Sequence, residues 1–125
     1  MKIRIKGDSI RFRLTKSEVE ALCNSGEYRE ETHFKSNSFT YAVKKSPTSG
    51  MSAGYADNSI TLYVCDRLLE GWAENDTVGF EEVERIGDRS SLHLLLEKDF
   101  VCLDHRLEDQ SDNYPNPKLQ KEGLT

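Results

Sequence analysis

Five cations, Lys2, Arg4, Lys6, Arg11 and Arg13, stand at alternate positions in MKIRIKGDSIRFRL, residues 1–14. On a strand, side chains two apart share a face. A row of arginines and lysines on one face can hold an anion, because the guanidinium fork matches phosphate or carboxylate oxygens two at a time. Two plainer readings fit the same row. The long stems can cover apolar surface while the charged heads stay in water. Alternatively, the cations pair with acidic strands such as Glu30-Glu31 or Glu81-Glu82-Val83-Glu84.

Other residues with chemical potential are sparser. Cys102-Leu103-Asp104-His105 brings a thiol, a carboxylate and an imidazole together within four residues. A metal site needs three or four converging ligands, and no second Cys/His pair lies close in sequence. His33 and His93 fall on expected strands and would contribute only by folding nearby. A Cys–His nucleophile built on Cys65 or Cys102 has no local signature to support it. Gly50 and Gly54 make neither a phosphate loop nor a dinucleotide fingerprint. Glu97 and Asp99, in Glu97-Lys98-Asp99-Phe100, are two carboxylates that could act together or simply mark a charged strand end. No catalytic residue, metal ligand or cofactor is assigned. The candidate ligand-binding residues are Lys2, Arg4, Lys6, Arg11 and Arg13, with Arg4, Arg11 and Arg13 at the centre.

The elements that must position these residues follow from periodicity. Ile3 and Ile5, then Ile10, Phe12 and Leu14, alternate with the cations on either side of Gly7-Asp8, which reads as an antiparallel hairpin. All five apolar residues are expected to be buried. Thr15 with Glu18 fits a capping box for a short helix carrying Val19 and Leu22 and ending at Asn24-Ser25-Gly26. Tyr28 to Phe34 and Phe39 to Lys44 read as strands, and residues 45–50 as a loop. Met51 to Ala56 and Ser59 to Val64 read as strands about an Asp57-Asn58 turn. Asp66 is a candidate cap for a second helix with Leu68, Leu69 and Trp72, ending at Asn75-Asp76. Val78 to Ile86 and Leu92 to Glu97 complete the set.

The halves share the order strand–strand–helix–strand–strand. At an offset of 50, SIRFRL falls on SITLYV, Val19 on Leu69 and Leu22 on Trp72. This patterning predicts an α+β domain with about eight strands in a mostly antiparallel sheet, curled or closed into a barrel, and two short helices. The domain is expected to span residues 1–108, followed by an irregular acidic, proline-containing tail at 109–125 in which Tyr114 is a candidate anchor.

Composition narrows the functional classes. A chain of 125 residues suits one domain. No run of about 20 apolar residues is present to span a bilayer. Three cysteines without paired spacing suggest a reducing, cytoplasmic setting. The formal net charge is −5 although residues 1–16 hold six cations against Asp8 alone. That asymmetry argues against a general nucleic-acid binder, which would be basic across a whole face, and permits a local anion site or a basic strand neutralised by acidic neighbours.

The segments KIRIKG, IRFRLTKSEVE, EETHF, FTYA, EKDF followed by CLD, and YPNP resemble a family of short, uncharacterised bacterial proteins of unknown function. The resemblance spans almost the whole chain. It implies a cytoplasmic single domain and no particular activity. The two β/α halves are also similar in architecture to the triphosphate tunnel (CYTH-like) proteins. Those hold polyphosphate with inward cations and a divalent metal with inward glutamates, on a first strand bearing Glu-x-Glu-x-Lys. Here Lys6 matches the final lysine, while Lys2 and Arg4 replace both glutamates. The replacement argues against metal-dependent phosphoryl chemistry and leaves polyanion binding.

The sequence therefore reads as a binding or interaction domain rather than an enzyme, its basic hairpin face meeting an anionic small molecule or an acidic protein partner. The alternative is a tunnel-like phosphohydrolase acting on a phosphorylated small molecule.

Overall fold

In the computed structural model, which describes residues 1–100 and 111–115, the alternation at the start of the chain makes a hairpin. Strands β1 (Lys2–Ile5) and β2 (Ser9–Leu14) pair antiparallel, with Ile3 opposite Phe12 and Arg4 opposite Arg11. Helix α1 (Lys16–Ser25) starts where the Thr15 N–H donates to Glu18 Oε1 at 2.8 Å. It stops at Gly26, whose φ of 84° suits glycine and whose N–H caps the Leu22 carbonyl at 2.9 Å. Strands β3 (Glu27–His33) and β4 (Ser38–Ser46) form the next hairpin.

The second half repeats the order with β5 (Met51–Ala56), β6 (Ser59–Cys65), the single helical turn α2 (Asp66–Leu69), β7 (Gly79–Arg85) and β8 (Ser91–Lys98). Several boundaries differ from the sequence reading, most of them by a residue or two. β4 runs on to Ser46 because its ladder with β6 continues to the Ser46–Cys65 pair. The second helix is cut to one turn, with Gly71 at φ 69° turning the chain before Trp72. Cys65 rather than Asp66 holds its N-cap position.

The strands form two four-stranded sheets, ordered β1-β2-β8-β7 and β3-β4-β6-β5. The four hairpin pairings are antiparallel, while the central pairs β2–β8 and β4–β6 are parallel. Hairpin turns force antiparallel neighbours, whereas strands brought together from different halves are free to run parallel. The result is α+β and curled, with no closed barrel among the described residues. The internal repeat is exact in register for the leading hairpins: Lys2 faces Arg13 and Ser52 faces Tyr63, each residue fifty positions from its counterpart.

Between the sheets lies a single core that includes Ile10, Phe12, Leu14, Val19, Leu22, Ile60, Leu62, Val64, Leu69, Trp72, Leu94 and Leu96. The residues aligned by the repeat thus share one interior. Ile5 departs from expectation. It is 57% exposed, and Ile3 is half-buried. β1 is a short edge strand, and Ile5 stands at its end, past the well-covered rows of Phe12 and Leu14.

Glu82 and Glu84 alternate with the outward residues of β7 and reach the neighbouring sheet. Glu82 Oε1 accepts from the Met51 N–H at 3.4 Å and Glu84 Oε1 from the Ala53 N–H at 3.1 Å. They thereby occupy donors on an edge strand that would otherwise be open to pairing. No helix among the described residues is long and apolar enough to cross a membrane.

Residues 111–115 pack onto the body. Tyr114 is 9% exposed and its N–H donates to the Asp99 carbonyl. Asp112 accepts from the Ser17 hydroxyl at 2.7 Å beside the start of α1. Cys102, Asp104, His105 and the expected boundary at 108/109 lie outside the described residues.

Candidate anion-binding site

Burial of Phe12 and Leu14 dictates where the cations go. Strand geometry turns Arg11 and Arg13 to the opposite face, and the β1–β2 register sets Arg4 against Arg11 and Lys2 against Arg13. Two shallow hollows adjoin there. One, of about 330 Å³, is lined by Lys2, Ile3, Arg4, Arg11 and Arg13. The other, of about 200 Å³, is lined by Arg4, Lys6, Ser9 and Arg11. Arg4 and Arg11 belong to both. All five sequence candidates therefore meet on one outer sheet face, where the Arg13 side chain is 44% exposed and that of Lys2 49%.

The acidic partners differ from those suggested by the sequence. Parallel pairing of β2 with β8 sets Glu97 opposite Arg13. Its Oε1 lies 3.1 Å from Arg11 Nε and 3.8 Å from Arg13 Nε. Asp99 Oδ2 lies 3.4 Å from Lys2 Nζ. Glu97 and Asp99 thus form a charged strand end, each pairing with different cations of the basic face. Glu81 instead meets His93, Glu31 meets Arg29 and His33, and Glu30 meets the Met1 ammonium at 2.8 Å. Arg4 and Lys6 have no ion pair among the described residues. Among the described residues Glu97 and Asp99 are the carboxylates paired with this face, and partly exposed pairs such as Arg13–Glu97 contribute only about 0–1 kcal/mol each.

Glu97 and Ser9 belong to this face and were not singled out as part of it. Nothing local in the sequence marks Glu97 as Arg13's neighbour, because the pairing joins strands from opposite ends of the chain. No group of three or more His, Cys, Asp or Glu side chains arranged to hold a metal occurs among the described residues. Cys23 is half-buried, and burial pushes its thiol pKa up, away from thiolate reactivity. Trp72 is core, as its spacing suggested. Its Nε1 donates to the Thr77 carbonyl at 2.8 Å and its ring tilts on Phe80 at 5.1 Å.

The fold and this face define a small two-sheet α+β domain, built from two β-β-α-β-β halves, with cations on the outside of one sheet. By sequence, the chain belongs to a family of unknown function (DUF7009), whose model matches residues 1–118. No curated protein and no solved structure matches it.

Proposed function

We propose that the protein is a binding domain that recognises a small anion on the outer face of the β1–β2 hairpin. The observation that carries this reading is the direct cross-strand pairing of Arg4 with Arg11, beside Lys2 with Arg13. Like charges placed directly opposite one another disfavour a sheet. A hairpin that keeps two such pairs side by side is best explained by an anion that offsets them. Glu97 and Asp99 offset part of the charge and hold Arg11, Arg13 and Lys2 in place. Arg4 and Lys6 supply the surplus.

The expected likeness to tunnel phosphohydrolases finds no support in the side chains of this hairpin. Such chemistry needs cations and metal-binding carboxylates converging inside a lumen, whereas the inward row of this hairpin is isoleucine, phenylalanine and leucine.

Titration calorimetry with pyrophosphate tests the reading. Binding should weaken as salt rises, because exposed charges are screened beyond about 10 Å at 0.1 M ionic strength. It should weaken further in Arg4→Gln, whose side chain has no ion pair among the described residues. Binding that is absent, or indifferent to Arg4→Gln, would refute the proposal.

A further inference from the structure

Another hollow lies at the end of β8, beside the turn after α2 and residues 111–115. A hollow of about 340 Å³ is lined by Asn75, Asp76, Val78, Lys98, Phe100, Tyr114 and Pro115. That volume is near the lower end of the roughly 300–1,000 Å³ usual for small-molecule sites. Lys98 forms its floor and is 4% exposed. Lys98 Nζ donates to the Asn75 carbonyl at 2.7 Å and sits over the rings of Tyr114 (4.9 Å) and Trp72 (5.6 Å). No carboxylate lies within ion-pair distance of it among the described residues. Burial accordingly lowers its pKa, while Asp76 acts in the opposite direction from the rim.

The internal repeat shows that this burial is not required for the lysine's structural task. Lys98 faces Leu14, and Lys45 faces Val64 fifty positions on, so the two lysines are counterparts. Lys45 Nζ likewise caps a carbonyl, that of Cys23, at 2.5 Å, yet Lys45 is exposed. Holding a main-chain carbonyl therefore works from the surface. The burial of Lys98 and the aromatic wall beside it have no counterpart at Lys45 among the described residues. Phe100 and Tyr114 make that wall, their ring centroids 5.8 Å apart. Asp76 is exposed at the rim and has no hydrogen bond or ion pair among the described residues.

We infer that this hollow binds a zwitterionic α-amino acid with an apolar side chain. Its carboxylate meets Lys98 and supplies a counterion that the buried ammonium does not find among the described residues. Its ammonium meets Asp76, and its side chain lies on Phe100 and Tyr114. A simple anion would satisfy Lys98 but be repelled by Asp76. A cation would do the reverse.

Trp72 is the one tryptophan of the chain, and its position beneath Lys98 makes its fluorescence a direct reporter. Three probes isolate the charges: L-phenylalanine, L-phenylalaninamide without the carboxylate, and 3-phenylpropionate without the ammonium. L-Phenylalanine should change Trp72 emission saturably, with a Kd at least about tenfold below those of the other two, a factor equivalent to about 1.4 kcal/mol. Lys98→Met should abolish the response. Asp76→Asn, an exposed substitution that leaves the core intact, should bring L-phenylalanine close to 3-phenylpropionate. Equal or tighter binding of 3-phenylpropionate in the wild type would overturn the zwitterion assignment. No response to any probe, or an unchanged response in Asp76→Asn, would overturn it as well.

Discussion

Phe12→Ala, set against Arg13→Gln on the next residue, measures how sharply one strand divides two environments. Phe12 is fully buried, opposite Ile3 on one side and Leu96 on the other. Truncating a buried phenylalanine costs about 3–5 kcal/mol in lost transfer energy and cavity formation. Arg13 is half-exposed and its pairing with Glu97 is long, so its replacement should cost less than about 1 kcal/mol. For 125 residues the total stability is on the order of 6–19 kcal/mol. Phe12→Ala thus removes a large fraction of it while leaving a fold to measure. A melting scan should fall by roughly 10–20 °C for Phe12→Ala and by a few degrees at most for Arg13→Gln. Urea unfolding at constant m-value would confirm that the native state, not the denatured ensemble, has changed. Leu62 occupies the repeat-equivalent site and is also fully buried, so Leu62→Ala should fall by about 2–5 kcal/mol. Equal costs for Phe12→Ala and Arg13→Gln would refute the assignment of faces.

Three further outcomes are expected. Burial and nearby carboxylates push the hydroxyls of Tyr28 and Tyr114 up to about 12 from 10. Their stabilisation is complete below pH 10 and lost as pH rises toward 12, and Tyr28→Phe with Tyr114→Phe should flatten that alkaline limb in pH-dependent melts. Hydrogen bonding from Ser17 holds Asp112 below 3.8, so its contribution is present above that value and lost as pH falls through the lowered one; Asp112→Ala should reduce stability at pH 7 and leave it unchanged at strongly acidic pH. Gly50 has φ 78° and a β-carbon there would come 2.9 Å from Glu82 Oε1, so Gly50→Ala should destabilise by about 1 kcal/mol or more in denaturant unfolding.

Much of this was legible in residue patterns because it is local. Alternation about Gly7-Asp8, the Thr15–Glu18 box and the offset placing Val19 on Leu69 all depend on residues close together or on one repeat. The basic face was legible for the same reason, since a strand's two faces follow from a period of two. Its acidic complement was not. Glu97 reaches Arg11 and Arg13 only through a parallel pairing between the first and last hairpins, and sequence spacing carries no trace of that contact. The inward turn of Glu82 and Glu84 was hidden for a related reason: carboxylates at alternate positions read as a solvated face until a neighbouring edge strand offers them backbone donors. Lys98 looked like an ordinary charged strand end, and its burial depends on Trp72 and Tyr114 closing over it.

The central claim is that the cations at the start of the chain serve an anion rather than the fold. The most direct test is the pyrophosphate-dependent melting temperature of the wild type and of Arg11→Gln/Arg13→Gln, at low and high salt. A ligand that binds the native state alone raises the melting temperature by mass action. The wild type should therefore gain stability with pyrophosphate, and the gain should shrink in high salt. The double variant should melt within a few degrees of the wild type without ligand and show no gain with it. A double variant that melts far lower without any ligand, or a wild type that pyrophosphate leaves unmoved, would show that the arginines serve Glu97 and the sheet instead.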